Sequence, residues 1–257
     1  MQKNYSERDM RLCLQSLGVK NGDCLFIHTA LKGLGKFTPH IEGNALEVML
    51  DVFTETVGEA GTIVVPTFNF AFCKGEAFDL QNTPCDRMGA FSEFVRKKTT
   101  AKRSRHPFHS VAAIGRKAFD IANAEAKSEF ADGSSFDVML KLNCKILFFG
   151  IDFVETFVHV AEERAEVPYR FWKTFTGDFI KGNEKKRITV NFYARKLDAE
   201  PEPVLDVDKI NKYLRSRGII KSADLGSGRV SICNSSEMVN ELTKKFKEEP
   251  LFSLKEF

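Results

Sequence analysis

Two textures alternate along the first two-thirds of the chain. Cys24-Leu-Phe-Ile-His28, Thr62-Ile-Val-Val-Pro66, Val111–Gly115 and Lys145-Ile-Leu-Phe-Phe-Gly150 are short runs, apolar at almost every position. Their length suits strands, and apolar neighbours at successive positions suit strands buried on both faces. Between them, apolar residues recur at helical spacing. Leu12, Cys13 and Leu17 share one face of a helix that Ser6 caps and Gly18 ends. Asn44 opens a second helix carrying Leu46, Met49, Leu50 and Phe53, closed by Gly58 and Gly61. Met88 to Lys98 reads as a third. This alternation predicts an α/β fold: a mixed, largely parallel sheet covered by helices on both faces. After Pro168 the pattern changes. Arg187-Ile-Thr-Val-Asn-Phe-Tyr193 alternates apolar with polar residues, as a half-exposed antiparallel strand would. Asp198 to Pro203 reads as a surface loop, and helices are predicted near 208–217 and 237–247. The expected organisation is a single domain over 1–257, with a main α/β portion (1–170) and a smaller antiparallel and helical portion (171–257).

Composition narrows the class. Hydrophobic residues at 43% and charged residues at 28% describe an ordinary globular chain. The six cysteines, at 13, 24, 73, 85, 144 and 233, form no CxxC pair. They suit the reduced thiols of a cytosolic protein. No run approaches 18 apolar residues and no signal peptide is visible, so a cytoplasmic protein with no membrane partner is expected. A formal charge of +3 is too mild to imply nucleic-acid binding. One cluster is denser: Arg96, Lys97, Lys98, Lys102, Arg103 and Arg105, with no acid among them. It reads either as a solvated helix end or as an anion site for a phosphorylated ligand. Without interleaved aromatics it makes a poor single-strand binder.

Three segments carry candidate chemistry. In Phe157-Val-His-Val-Ala-Glu-Glu-Arg-Ala-Glu-Val-Pro168, His159 stands three residues before Glu162, on one helix face. An imidazole beside a carboxylate can take a proton from an amine near neutral pH, although the same spacing serves an ordinary surface pair. Arg103-Ser-Arg-His-Pro-Phe-His-Ser-Val-Ala-Ala113 holds His106 and His109 without a third metal ligand nearby, so no metal is expected. Ser110 beside His109 lacks the GxSxG elbow of a hydrolase nucleophile. His28-Thr-Ala-Leu-Lys-Gly-Leu-Gly-Lys36 matches neither a P-loop nor a GxGxxG fingerprint. Gly33 and Gly35 could bring backbone N–H groups to an anion, with Lys32 or Lys36 adding charge; taken alone, the segment reads rather as a flexible strand-to-helix connection.

Taken in order, these segments resemble the aminoglycoside 3-N-acetyltransferase (antibiotic N-acetyltransferase) family. The resemblance rests on His28-Thr-Ala-Leu, Gly61-Thr-Ile-Val-Val-Pro-Thr67, Met88-Gly-Ala-Phe, Arg103-Ser-Arg-His-Pro-Phe-His-Ser, Gly133-Ser-Ser-Phe, Ile146–Gly150 and His159-Val-Ala-Glu162 with Val167-Pro168. It covers roughly residues 8 to 200.

The resemblance implies a fold distinct from the GNAT acetyltransferases, acetyl-coenzyme A as donor and an amino-sugar amine as acceptor. His159 is then the expected general base in a direct transfer, oriented by Glu162 or Asp152, with Thr67 at the floor of the site. His28, Thr29, Ala30, Leu31 and Lys32 are expected to bind the coenzyme, with Arg103, His109, Ser110 and Val111. Asp152, Glu155 and Glu163 are expected to meet the acceptor. Because aminoglycosides are polycations and this chain is basic, a nucleotide-linked amino sugar of surface-glycan biosynthesis is the favoured acceptor, with an aminoglycoside as the alternative. An inactive scaffold binding anions or RNA is the reading from another class, and a Ser–His thioester hydrolase a third. The pattern leaves room for a homodimer.

Overall fold

The computed structural model describes residues 3–39, 44–154 and 156–255. The apolar runs form the centre of a seven-stranded sheet. Its strands are β1 (Cys24–Thr29), β2 (Thr62–Pro66), β4 (Lys102–Arg103), β5 (Val111–Gly115), β6 (Lys145–Phe149), β9 (Lys221–Leu225) and β10 (Gly228–Asn234), in the order β4-β5-β2-β1-β6-β10-β9. Parallel pairing is confined to β2-β1-β6, with Leu25 opposite Ile63 and Lys145. Both flanks are antiparallel.

Alternate side chains along these central strands enter two separate cores. Phe26, Val64, Ile146 and Phe148 face one, with α5 (Ser135–Lys141), α6 (Thr156–Ala165), α7 (Val207–Ser216) and α8 (Ser235–Glu248). Leu25, Ile27, Ile63, Val65, Leu147 and Phe149 face the other, with α1 (Glu7–Ser16), α2 (Ala45–Val57) and α3 (Gly89–Arg96). Continuous apolarity was the signature of this double burial. The expected caps are present: Ser6 and Asp9 close a capping box on α1, and the Asn44 side chain accepts from Leu46 N–H on α2.

A second sheet stands beside the first. It is the long hairpin of β7 (Arg170–Lys181) and β8 (Glu184–Arg195), joined by the short β3 (Phe78–Asp79). The alternating segment 187–193 lies in β8, antiparallel to β7 as its pattern predicts. A small cluster of Phe72, Phe78, Phe108 and Phe179 fastens this sheet to the main body. The helix α4 (Ala118–Ala122) completes the described elements. Among the described residues, no helix is long and apolar enough to cross a membrane. The six cysteines are all free, with Cys24 and Cys144 buried.

Candidate active site

The parallel strands β2, β1 and β6 point their carboxyl ends the same way, and a cleft opens beyond them, where α/β sheets place ligands. A cavity of about 330 Å³ lies there. Its wall takes His28 and Thr29 from the end of β1, Pro66, Phe68 and Phe70 from β2 onward, and Arg87 and Met88 before α3. His109 enters from the segment leading into β5, and Ile151, Val154, Thr156 and His159 from the passage between β6 and α6.

His159 sits in the first turns of α6, so that Glu162, one turn on, lies beneath it. Its Nδ1 is 2.6 Å from Glu162 Oε2. Glu162 is fully buried, and burial alone would push its carboxyl up. The charge and contact of His159, Arg170 and the Tyr169 hydroxyl outweigh that burial and hold it down at about 2. Arg170 Nη2 lies 2.8 Å from Glu162 Oε2, and Tyr169 donates to Oε1 at 2.7 Å. Tyr169 O–H lies in turn 2.6 Å from Ser253 Oγ, and Arg170 Nη1 donates to Tyr193 O at 2.9 Å. Arg170 Nη2 also lies 3.0 Å from His159 Nδ1, but the carboxylate contact is shorter and an ionised Glu162 must accept, so the His159 proton belongs on Nδ1 and the Nε2 lone pair is free to act as base.

The other expected site residues separate into distinct surroundings. His28 stacks on Phe148 with centroids 6.0 Å apart, and burial lowers its imidazole to about 3, so it is neutral. Its Nε2 is buried without a hydrogen-bond partner. Thr29 lines the cavity, and Ala30 N–H donates to Phe149 O at 2.9 Å. Leu31 begins a 3-10 turn in which Lys32 points outward. Gly33 lies against the Gly150 carbonyl: a Cβ there would come within 2.7 Å of that oxygen. Close packing of this loop on the end of β6 therefore explains the glycine.

Thr67 and Ser110 are fully buried and share a hydrogen bond of 2.9 Å; Val111 is buried beside them. Arg103 donates to Thr67 Oγ1 (3.2 Å), Ser110 Oγ (3.1 Å) and the carbonyls of Thr67 and Thr83 (2.9 and 2.5 Å). Its guanidinium thus braces the edge strand β4 to the segment after β2. Asp152 is exposed, and Glu155 lies outside the described residues. Glu163 accepts from Ser128 Oγ at 2.8 and 2.9 Å and does not line this cavity.

The basic cluster meets acids from elsewhere in the chain. Arg96 and Lys97 pair with Glu93 at 2.6 and 3.2 Å, Lys98 with Glu47, and Arg105 with Glu125. Only the Lys102 side chain, of the six, has no polar partner among the described residues. Among those residues no set of three or more metal-binding side chains comes together.

Sequence reasoning paired His159 with Glu162 but missed Tyr169, Arg170 and Ser253. A signal for Arg170 existed, since a buried carboxylate demands a buried cation and Arg170 follows Val167-Pro168 closely. Ser253 had none.

The family model described as aminoglycoside 3-N-acetyltransferase matches residues 26–247. The chain belongs to this family. Among curated members, aminoglycoside N(3)-acetyltransferase III of Salmonella sp is 28% identical over 190 residues, 66% of this chain and 65% of that protein. The match thus spans slightly under two-thirds of that relative. The crystal structure of the family member AAC(3)-Xa superposes with a TM-score of 0.82 at 22% identity, covering 95% of this chain and 93% of that one. AAC-IIIb, solved as a binary with CoASH, gives 0.81 at 18% identity, over 95% and 97%. At these identities the two structures establish a shared fold.

Proposed function

We propose that this family member is an acetyl-coenzyme A-dependent N-acetyltransferase whose acceptor is an amine of an aminoglycoside. The observation that carries the reading is the His159–Glu162 contact at the mouth of the cleft, with Glu162 held ionised by buried partners. His159 Nε2 takes a proton from the acceptor amine as its nitrogen forms the C–N bond to the acetyl carbonyl carbon. As the C–S bond breaks, the imidazolium returns that proton to the departing thiolate sulfur. Transfer is direct, and no protein nucleophile is needed.

The wall of the cavity suits a thioester donor: it is largely apolar, and His28 Nε2 offers a polar atom with no partner inside the protein. The end of β1 at His28 and Thr29, with His109, would form the coenzyme side of the cleft, and the exposed Asp152 the acceptor side; Glu163 is turned to Ser128 instead. A relative of known structure carries CoASH, which supports the donor.

The choice of acceptor follows from charge. The basic cluster at 96–105 was the physical ground for expecting a nucleotide diphosphate, and Glu93, Glu47 and Glu125 neutralise most of it. The matched relatives are named for aminoglycosides, which supports that acceptor instead. The test is thiol release from acetyl-coenzyme A with aminoglycosides, nucleotide-linked amino sugars and no acceptor. Release confined to the aminoglycosides is expected. Release confined to the nucleotide sugars would overturn the acceptor, and release without any acceptor would make the protein a thioesterase.

A further inference from the structure

A second histidine faces the reacting centre, and the mechanism above leaves it unused. The His109 ring lies 6.3 Å from that of His159, centroid to centroid, across the same cavity. It is boxed by aromatic rings: Phe68 at 4.8 Å, Phe70 and Phe130 at 5.2 Å, and Phe192 stacked at 5.9 Å. Burial, with His159 and Arg170 nearby, holds the imidazole far below its ordinary value.

Behind the ring stands Glu129, 3% exposed. Its Oε1 lies 3.3 Å from His109 Nδ1 and its Oε2 3.2 Å from His106 Nε2. Neither contact has hydrogen-bond alignment, and none of the four atoms has a hydrogen-bond partner among the described residues. Among the described residues, only the two imidazoles face the carboxyl at ion-pair distance. An ionised carboxylate in that position would be costly, and burial raises the Glu129 carboxyl accordingly.

The direction of the protons then follows. Phe108 N–H approaches His106 Nδ1 at 3.4 Å, so the His106 proton sits on Nε2, on the side of Glu129. A carboxyl that keeps its proton there has His109 Nδ1, 3.3 Å from Oε1, as the acceptor beside it. A neutral imidazole whose Nδ1 accepts carries its proton on Nε2, and Nε2 is the nitrogen on the cavity side.

We propose that His109 is the oxyanion-binding residue of this site: with Glu129 behind the ring at Nδ1, its Nε2–H donates to the acetyl carbonyl oxygen as negative charge develops there. This assignment rests on the acetyltransferase reading. It gives the two histidines opposite duties, His159 offering a lone pair and His109 a proton it keeps. A neutral donor in an apolar box is already aimed when charge appears and needs no reorganisation.

The experiment compares His109→Ala, His109→Gln and His109→Asn in the full chain, with nitrogen-15 NMR of the wild-type histidines between pH 5 and 9. Loss of one oxyanion donor is expected to lower kcat by about 10²–10³-fold in His109→Ala, with KM for coenzyme and acceptor little changed. The Gln amide nitrogen reaches the place of Nε2 and should recover most of that loss. The Asn nitrogen reaches only the place of Nδ1 and should not. In the NMR spectrum His109 should remain an Nε2–H tautomer across the range. Near-normal turnover in His109→Ala, equal rescue by Asn and Gln, or an Nδ1–H or imidazolium signal would each overturn the assignment. If the wild type acetylates no acceptor, the parent reading fails, while the NMR tautomer still decides the state of His109.

Discussion

At the residue scale, the centre of the site is a negative charge placed where it should be unstable. Glu162 is tolerable because Arg170 and Tyr169 close over it. Replacing it by Gln leaves Arg170 buried with no carboxylate, a change that typically costs about 3–5 kcal/mol. Glu162→Gln should therefore lower both kcat and the urea midpoint. A variant that lost rate alone would show that the pair contributes nothing to the fold. The same charge sets an acid limit. Glu162 is held at about 2 in the folded protein, against 4.5 for an unperturbed glutamate. Its contribution is thus complete above 4.5 and is lost as pH falls toward 2, roughly 3 kcal/mol in all. Acid titration of stability should show a steeper decline across that window in the wild type than in Glu162→Gln. His159→Ala should lower kcat by about 10²–10⁴-fold with coenzyme binding nearly intact. Near-normal turnover would remove His159 from its role.

At the scale of elements, glycines mark where the loops of the cleft are seated. A Cβ on Gly228, at the start of β10, would come 2.4 Å from the Gly33 carbonyl oxygen. That neighbour is backbone and cannot swing aside, so Gly228→Ala should cost about 1–3 kcal/mol. It should also raise KM for the coenzyme, because it pushes on the loop from Ala30 to Gly35. An unchanged urea midpoint would show that the hairpin shifts freely. These seats were hidden in the sequence, where Gly33 and Gly35 read as a flexible connection or an anion loop. The central strands were legible because burial on both faces leaves an unbroken apolar run. The strands β9 and β10 were not: Lys221-Ser-Ala-Asp-Leu225 carries charges at a sheet edge, and no pattern announces that β10 will pair with β6. His159 and Glu162 were legible because one helix turn joins them. Glu129 and Ser253 arrive from remote loops, and only the folded chain brings them in.

At the scale of the whole molecule, two sheets of unequal burial share one cleft. Strands β1, β2 and β6 are sealed between two helical layers, whereas β7 is largely exposed over 171–176 and β8 over 184–187, beside the Lys181–Glu184 turn. Hydrogen exchange should reflect this, with the slowest amides in the three central strands and the fastest sheet amides near that turn. Comparable protection in both sheets would mean that they open together. The exposed hairpin nevertheless reaches the site, since Arg170 begins β7 and Phe192 of β8 stacks on His109.

The position of β10 also bears on how the protein is made. During synthesis β6 emerges with an apolar edge that only residues 228–234 can cover, about eighty residues later in translation. Throughout that interval a growing chain offers an unpaired strand to its neighbours on the same message. Expression should then be most prone to inclusion bodies when translation stalls between these two strands, and slowing initiation should help more than any change to the cleft.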